Sequence, residues 1–158
     1  GQEDAEGQLT VPNWRDELID AVKTRAEREA EEAEKHKQRV SEAMTSAEAA
    51  LKLGVEALTF ASERVKEKGQ ASDVTSTVHS VKFTMQGPPA AGGDAPTTMM
   101  ISADLDPATA IIKVTYQDAK AREFDFARDR HIASADVEEY LGRRVVELIR
   151  SAQKAAPW

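Results

Sequence analysis

The most extended pattern in this chain lies in its first half. From Arg15 to Lys68 there is no proline and a single glycine, Gly54. Apolar or small residues recur there with alternating steps of four and three, a spacing typical of one face of a long helix. This row consists of Val40, Met44, Ala47, Leu51, Gly54, Leu58, Ala61 and Val65. The pattern predicts a coiled-coil-like helix over residues 13–69, preceded by a disordered acidic tail over residues 1–12.

Upstream of this row the helix pattern is charged. Between Arg25 and Arg39 acids and bases alternate at helical spacing, which stabilises a solvated helix by a few tenths of a kcal/mol per pair. The long helix could project from the molecule or fold back as a hairpin between His36 and Ser46. We favour projection, because neither glycine nor proline marks a turn in that segment.

The second half changes to the period of two that is typical of strands. Alternating β-branched and aromatic residues predict strands at about 74–86, 97–103, 110–116 and 122–127. A phase slip at His79–Ser80 indicates a bulge, and the glycines and prolines of 86–96 indicate a flexible loop. Because the links are short and contain no helix, the four strands should form an antiparallel meander.

A last amphipathic helix is predicted over residues 135–153, with Ser134 as its cap. Its apolar stripe and the apolar face of the sheet should cover each other. The predicted fold class is therefore α+β: a long N-terminal helix, a four-stranded antiparallel meander, and a C-terminal helix packed on the sheet. The small α+β domain should occupy residues 70–158.

The amino-acid composition argues against several classes of function. The 158 residues carry a net charge of −7, which opposes binding to nucleic-acid phosphates. No cysteine is present, which excludes disulfides and thiolate chemistry. The longest apolar runs are far shorter than the roughly 20 residues of a membrane-spanning helix. We expect a soluble acidic protein, and we favour the cytoplasm slightly over export.

The sequence contains no recognisable catalytic, cofactor or metal motif. The pairs Asp104/Asp106 and Glu123/Asp125 offer too few oxygens for a hard cation, which needs about six. An enzyme would need a site assembled in three dimensions, for example from His79, His131 and Asp125. We therefore predict no enzymatic activity, no cofactor and no metal.

One basic cluster is a candidate anion contact. Arg128, Arg130 and His131 precede the last helix, whose first N–H groups also attract anions. The alternative, which we favour, is a polar loop in which Asp129 pairs locally with an arginine.

The long helix suggests the function. Its apolar row has no obvious partner within the chain, so the sequence predicts a non-enzymatic interaction or scaffolding protein that forms a homodimer or binds a helical partner. The predicted partner interface consists of Val40, Met44, Ala47, Leu51, Leu58 and Val65. The alternative is a small ligand- or peptide-binding module that uses the sheet edge and the 86–96 loop.

Overall fold

The computed structural model describes residues 13–89, 92–117 and 119–158. The predicted acidic tail, residues 1–12, lies outside the described residues. The chain divides into two compact units, one ending at Lys37 and the other comprising Gln38–Trp158. The second unit therefore combines much of the long helix with the sheet, whereas the sequence predicted a boundary at residue 69.

Two helices stand where the sequence predicted one. Helix α1 spans Trp14–Ala21 and α2 spans Arg25–Glu67. Asn13 caps α1 by accepting the Asp16 N–H at 3.0 Å. Thr24 accepts the Glu27 N–H at 3.1 Å, so a Thr-x-x-Glu cap starts a new helix. Helix α2 has no turn in 36–46, where the hairpin alternative placed one.

The sheet is an antiparallel meander, which confirms the α+β fold class. Its strands lie in the order β1-β2-β3-β4-β5 and comprise Ser72–Thr77, Ser80–Pro89, Pro96–Asp106, Ile111–Tyr116 and Arg122–Asp125. It therefore has five strands, one more than predicted.

The additional strand comes from a hairpin that the sequence analysis interpreted as a bulge. Thr77 lies opposite Ser80, so the chain reverses at Val78 and His79. A two-residue reversal and a bulge both shift the alternation of apolar residues, so the pattern alone does not distinguish them. The predicted strand 74–86 is in fact β1, a turn and most of β2.

Strand pairing also extends into the predicted 86–96 loop. Pro89 lies opposite Pro96, with a register shift between Gly87 and Pro89. Gly87 is buried, and a Cβ there would lie 2.6 Å from Thr97 Oγ1. The Thr97 hydroxyl also donates to the Pro88 carbonyl at 2.7 Å. The absence of a side chain at Gly87 is what allows β2 and β3 to approach closely here.

Helix α3, Ser134–Ala155, covers the apolar face of the sheet together with α2. The N-terminal cap is Ala133 rather than the predicted Ser134, and Asp136 accepts the Ala133 N–H at 2.8 Å. The two helices approach closely where Gly54 faces Leu141. The largest fully buried side chains come from the sheet and both helices: Leu58, Val65, Val81, Phe83, Met85, Ile101, Ile112, Val114, Val137, Leu141 and Leu148.

The opposite face of the sheet is polar. Asp104 lies opposite Lys113, and Lys113 lies opposite Glu123, so charges of alternating sign cross three strands. All three side chains are exposed. The helices therefore cover only one face of the sheet.

Candidate functional site

The predicted partner interface lies in the protein's own core. Leu51 is 3% exposed and Leu58 is fully buried, while Met44 is half-buried against the same core. The other members of the predicted interface are buried as well: Val40, Ala47 and Val65. The premise that this row has no partner within the chain is wrong, because the sheet and α3 cover it.

Gly54 shows how closely that row is covered. A Cβ at Gly54 would lie 2.8 Å from Leu141 Cδ1, which is inside van der Waals contact. The glycine therefore allows α3 to approach α2 within one chain. Two small residues of the row, Gly54 and the buried Ala47, therefore serve packing inside the chain.

A neighbouring row on α2, which shares the half-buried Ala61 with the first row, borders solvent. It consists of Ala57, Phe60, Ala61 and Arg64, which follow i, i+3, i+4, i+7 spacing and line one side of a groove. Phe60 is 60% exposed, which is unusual for an aromatic side chain on a helix that also contributes to the core.

Helix α3 lines the other side of this groove with a row of the same spacing. That row consists of Glu139, Gly142, Arg143, Val146 and Ile149. Val146 is 44% exposed, and outside α3 itself no described residue lies within 4 Å of the position that a Cβ at Gly142 would take. We call this cavity of about 690 Å³ the α2–α3 groove.

The sides of the groove carry both signs of charge. Arg64 and Arg143 supply the bases, and Glu56, Glu138 and Glu139 supply the acids. The Arg64 guanidinium lies 4.9 Å from the centre of the Phe60 ring and 3.0 Å from Glu67. Arg143 forms an ion pair with Glu139.

The structure divides the candidate anion contact between two cavities. Arg128 and His131 line a cavity of about 560 Å³ beside β5, whereas Arg130 lines a smaller one of about 180 Å³. The three side chains are exposed. Among the described residues Asp129 forms no ion pair with an arginine, and its side chain accepts the His131 N–H at 2.9 Å instead. Carboxylates outnumber guanidinium groups in the larger cavity, which weakens attraction for an anion.

The same cavity contains a stack of aromatic and cationic side chains that sequence reasoning missed. The Arg122 guanidinium lies 4.7 Å from the Phe124 ring and 5.2 Å from the Tyr140 ring. The two rings meet edge to face, with centroids 5.6 Å apart. The only sequence signal was that Arg122 and Phe124 share a strand face. The stack joins β5 to α3.

Tyr116 lies near this stack, at the end of β4. Burial raises the pKa of its hydroxyl, and the charge of Glu147 adds to the increase. Arg144 lowers the pKa in opposition, and its guanidinium lies 4.8 Å from the Tyr140 ring. The phenol is therefore protonated at neutral pH.

The described residues contain little that resembles a catalytic or metal site. No group of three or more His, Asp or Glu side chains among residues 13–89, 92–117 and 119–158 could hold a metal ion. His131 and Asp125 line one cavity, but His79, in the β1–β2 turn, is not among its lining residues. In the same part of the chain no helix is long and apolar enough to cross a membrane.

The alternative hypothesis was a binding module that uses the sheet edge and the 86–96 loop, and the structure describes part of this region. A cavity of about 310 Å³ lies beside the start of β1, the middle of β2 and the start of β3. Its lining includes Ser72, Asp73, Thr84, Gln86 and Thr98. Residues 90 and 91 of the connecting loop lie outside the described residues, so the structure describes the edge but not the whole loop.

Comparison with known proteins returned no relationship: no family model, curated protein or solved structure matches the chain.

Proposed function

We propose that this chain is a non-enzymatic interaction protein that self-associates through its long helix, with the α2–α3 groove as the contact surface. The supporting observation is that two neighbouring helices each present a row with i, i+3, i+4, i+7 spacing to one open groove. Rows of this kind on adjacent helices form the surface against which further helices pack.

A second copy suits the shape of this surface. Phe60 is a large exposed side chain, while Ala57, Ala61 and Gly142 leave room beside it. In a twofold dimer the same patch contacts itself, so a patch needs both a protruding group and a space to receive it. The groove has both, and Phe60 of one copy fits the space of the other.

The charges suit a second copy as well. Since bases and acids both border the groove, a twofold axis brings Arg64 or Arg143 of one copy near the glutamates of the other. Such pairs at the rim contribute mainly to orientation and little to affinity. Each copy would also bury Phe60 and Val146, at about 1.5–3 kcal/mol for each fully buried side chain.

The test is the mass of the full chain in solution. Sedimentation equilibrium should give a dimer for the wild type that dissociates on dilution, and a monomer for Phe60→Glu. The matched control is Val78→Glu, which introduces the same charge at a side chain that is 81% exposed and outside the groove. The control should remain a dimer. A wild-type monomer at about 300 μM, where even a weak dimer is populated, would overturn the proposal.

A second variant protects the test against misfolding. Gly142→Leu replaces a glycine by a good helix former and directs a side chain into open space. It should raise the melting temperature of the monomer and weaken the dimer at the same time. Increased stability with undiminished dimerisation would show that the groove is not the contact surface.

A further inference from the structure

In the part of the chain that the structure describes, β1 pairs only with β2, so its other edge is free. The Gln86 N–H donates to the Ala71 carbonyl at 2.9 Å, which fixes the residues of β1 that bond to β2. In an antiparallel ladder alternate residues point their backbone groups away from the partner strand. In this register the residues of β1 whose backbone groups point away from β2 are Ser72, Val74 and Ser76. Each presents an N–H and a C=O outward from the sheet.

The other edge of the sheet is better protected. Strand β5 has only four residues, and the Asp125 carbonyl accepts the Asp129 N–H at 2.9 Å. Short strands and turns that occupy their backbone groups are common protection against additional pairing. Strand β1 has six residues, with neither lysine nor proline among them. Its free edge is thus the one suited to accept another strand.

A pocket adjoins the Ser72 end of this edge. It is the cavity of about 310 Å³ described above, and Asp73 is the only ionisable residue among the described residues that line it. Thr84, Gln86 and Thr98 supply neutral polar groups. The Asp73 side chain is exposed and forms no ion pair within residues 13–89, 92–117 and 119–158. A cationic side chain fits this chemistry best, because a carboxylate and hydroxyls accept its hydrogen bonds.

We propose that β1 accepts an extended segment of a partner protein as a sixth, antiparallel strand, with a lysine or arginine of that segment in the pocket beside Asp73. Backbone pairing at Ser72, Val74 and Ser76 supplies affinity, and the pocket supplies selectivity. Pairing of two copies through β1 is less suitable, because it adds a second Asp73 carboxylate without supplying a cation.

The experiment uses two synthetic peptides with blocked ends, TVKVTVT and TVEVTVT, added to the full chain labelled with nitrogen-15. The lysine peptide should shift the amide resonances of Ser72, Val74 and Ser76 in a saturable manner. It should bind about tenfold more tightly than the glutamate peptide. In Asp73→Asn this preference should fall to nearly one. Absence of edge shifts, or equal binding of both peptides to the wild type, would overturn the proposal.

Ser76→Pro isolates the backbone contribution. The Ser76 N–H points away from β2. Proline at this position therefore leaves the β1–β2 hydrogen bonds intact and removes a donor only from the free edge. The variant should lose peptide binding at least tenfold, whereas the matched Ser76→Thr should retain it. Equal binding by both variants would place the peptide elsewhere.

The same variants distinguish this inference from the proposed dimer. Without peptide, Ser76→Pro should sediment with the same mass as the wild type, and a loss of dimer would show that β1 pairs with its own copy instead. Phe60→Glu should bind the lysine peptide with unchanged affinity. Failure of the groove dimer therefore leaves the edge proposal intact, and the reverse also holds.

Discussion

Helix α2 has two rows of apolar residues that share Ala61, and the large side chains of the two rows have opposite environments. One row, represented by Leu51 and Leu58, is buried against the sheet and α3, while Phe60 on the other row is 60% exposed. Both rows have helical spacing. Periodicity thus identifies the positions that share a helix face, but it does not show whether the chain itself or another molecule covers that face.

The two rows also differ in composition. The buried row combines medium-sized and small residues along most of α2, which suits close packing against a sheet and a second helix. The exposed row is short and places one large ring between two alanines, beside Arg64. A single large anchor beside small residues and charges is typical of a contact surface between proteins.

The largest predicted effect compares one residue from each row. Leu58→Ala should reduce the free energy of unfolding by about 2–5 kcal/mol, because it leaves a cavity in the core. Phe60→Ala, made in the Gly142→Leu background and measured at a concentration where the weakened dimer dissociates, should change it by about 0.5 kcal/mol or less. Urea denaturation measures both. Similar losses in the two variants would mean that Phe60 is part of the core and that the distinction between the rows is false.

Substitutions at Gly54 and Gly142 should have effects of intermediate size. Gly142→Ala adds a methyl group in open space and should stabilise the monomer by about 1 kcal/mol, the difference in helix propensity. Gly54→Ala adds the same group 2.8 Å from Leu141 Cδ1, and overpacking of about 1–3 kcal/mol should cancel or exceed that gain. Thermal unfolding should therefore rank Gly142→Ala above Gly54→Ala. The reverse order would contradict the close contact of α2 with α3.

The smallest effects should come from one polar contact on each face of α2. Ser62 is 3% exposed and hydrogen bonds to Ser72 at 2.8 Å, so Ser62→Ala should cost about 0.5–1.5 kcal/mol. The Arg64–Glu67 pair is exposed, and Glu67→Gln should cost a few tenths of a kcal/mol at most. Chemical denaturation in low and high salt distinguishes the two contributions to stability, because salt screens the exposed ion pair but not the buried hydrogen bond.

Much of the fold followed from the sequence. The amphipathic stripe of α3 and the alternation in β3 to β5 determined the elements and their order, since each short link allowed only an antiparallel neighbour. The break between α1 and α2 was missed, although Thr24 and Glu27 form a capping signature that the sequence contains. The turn at Val78 and His79 had no comparable signal, because neither residue is typical of tight turns.

The candidate contact surface could not be predicted from local sequence patterns, because its residues come from distant parts of the chain. Phe60 and Val146 are 86 positions apart in the chain, and only the packing of α3 beside α2 brings them to one groove. Similarly, Arg122 meets Tyr140 only because β5 lies against α3. The spacing of residues within one helix or strand predicted which side chains share a face. Which faces of different elements contact each other depended on tertiary packing.

The placement of both helices on one side of the sheet has a consequence for valency. The α2–α3 groove and the β1 edge belong to different elements, so a dimer formed through the helices would present two separate strand-binding edges. A ligand with two suitable segments on a linker of matching length would then bind its second segment intramolecularly, with an effective concentration that reaches about the millimolar range. Two individually weak sites would in this way give avidity toward tandem or clustered ligands.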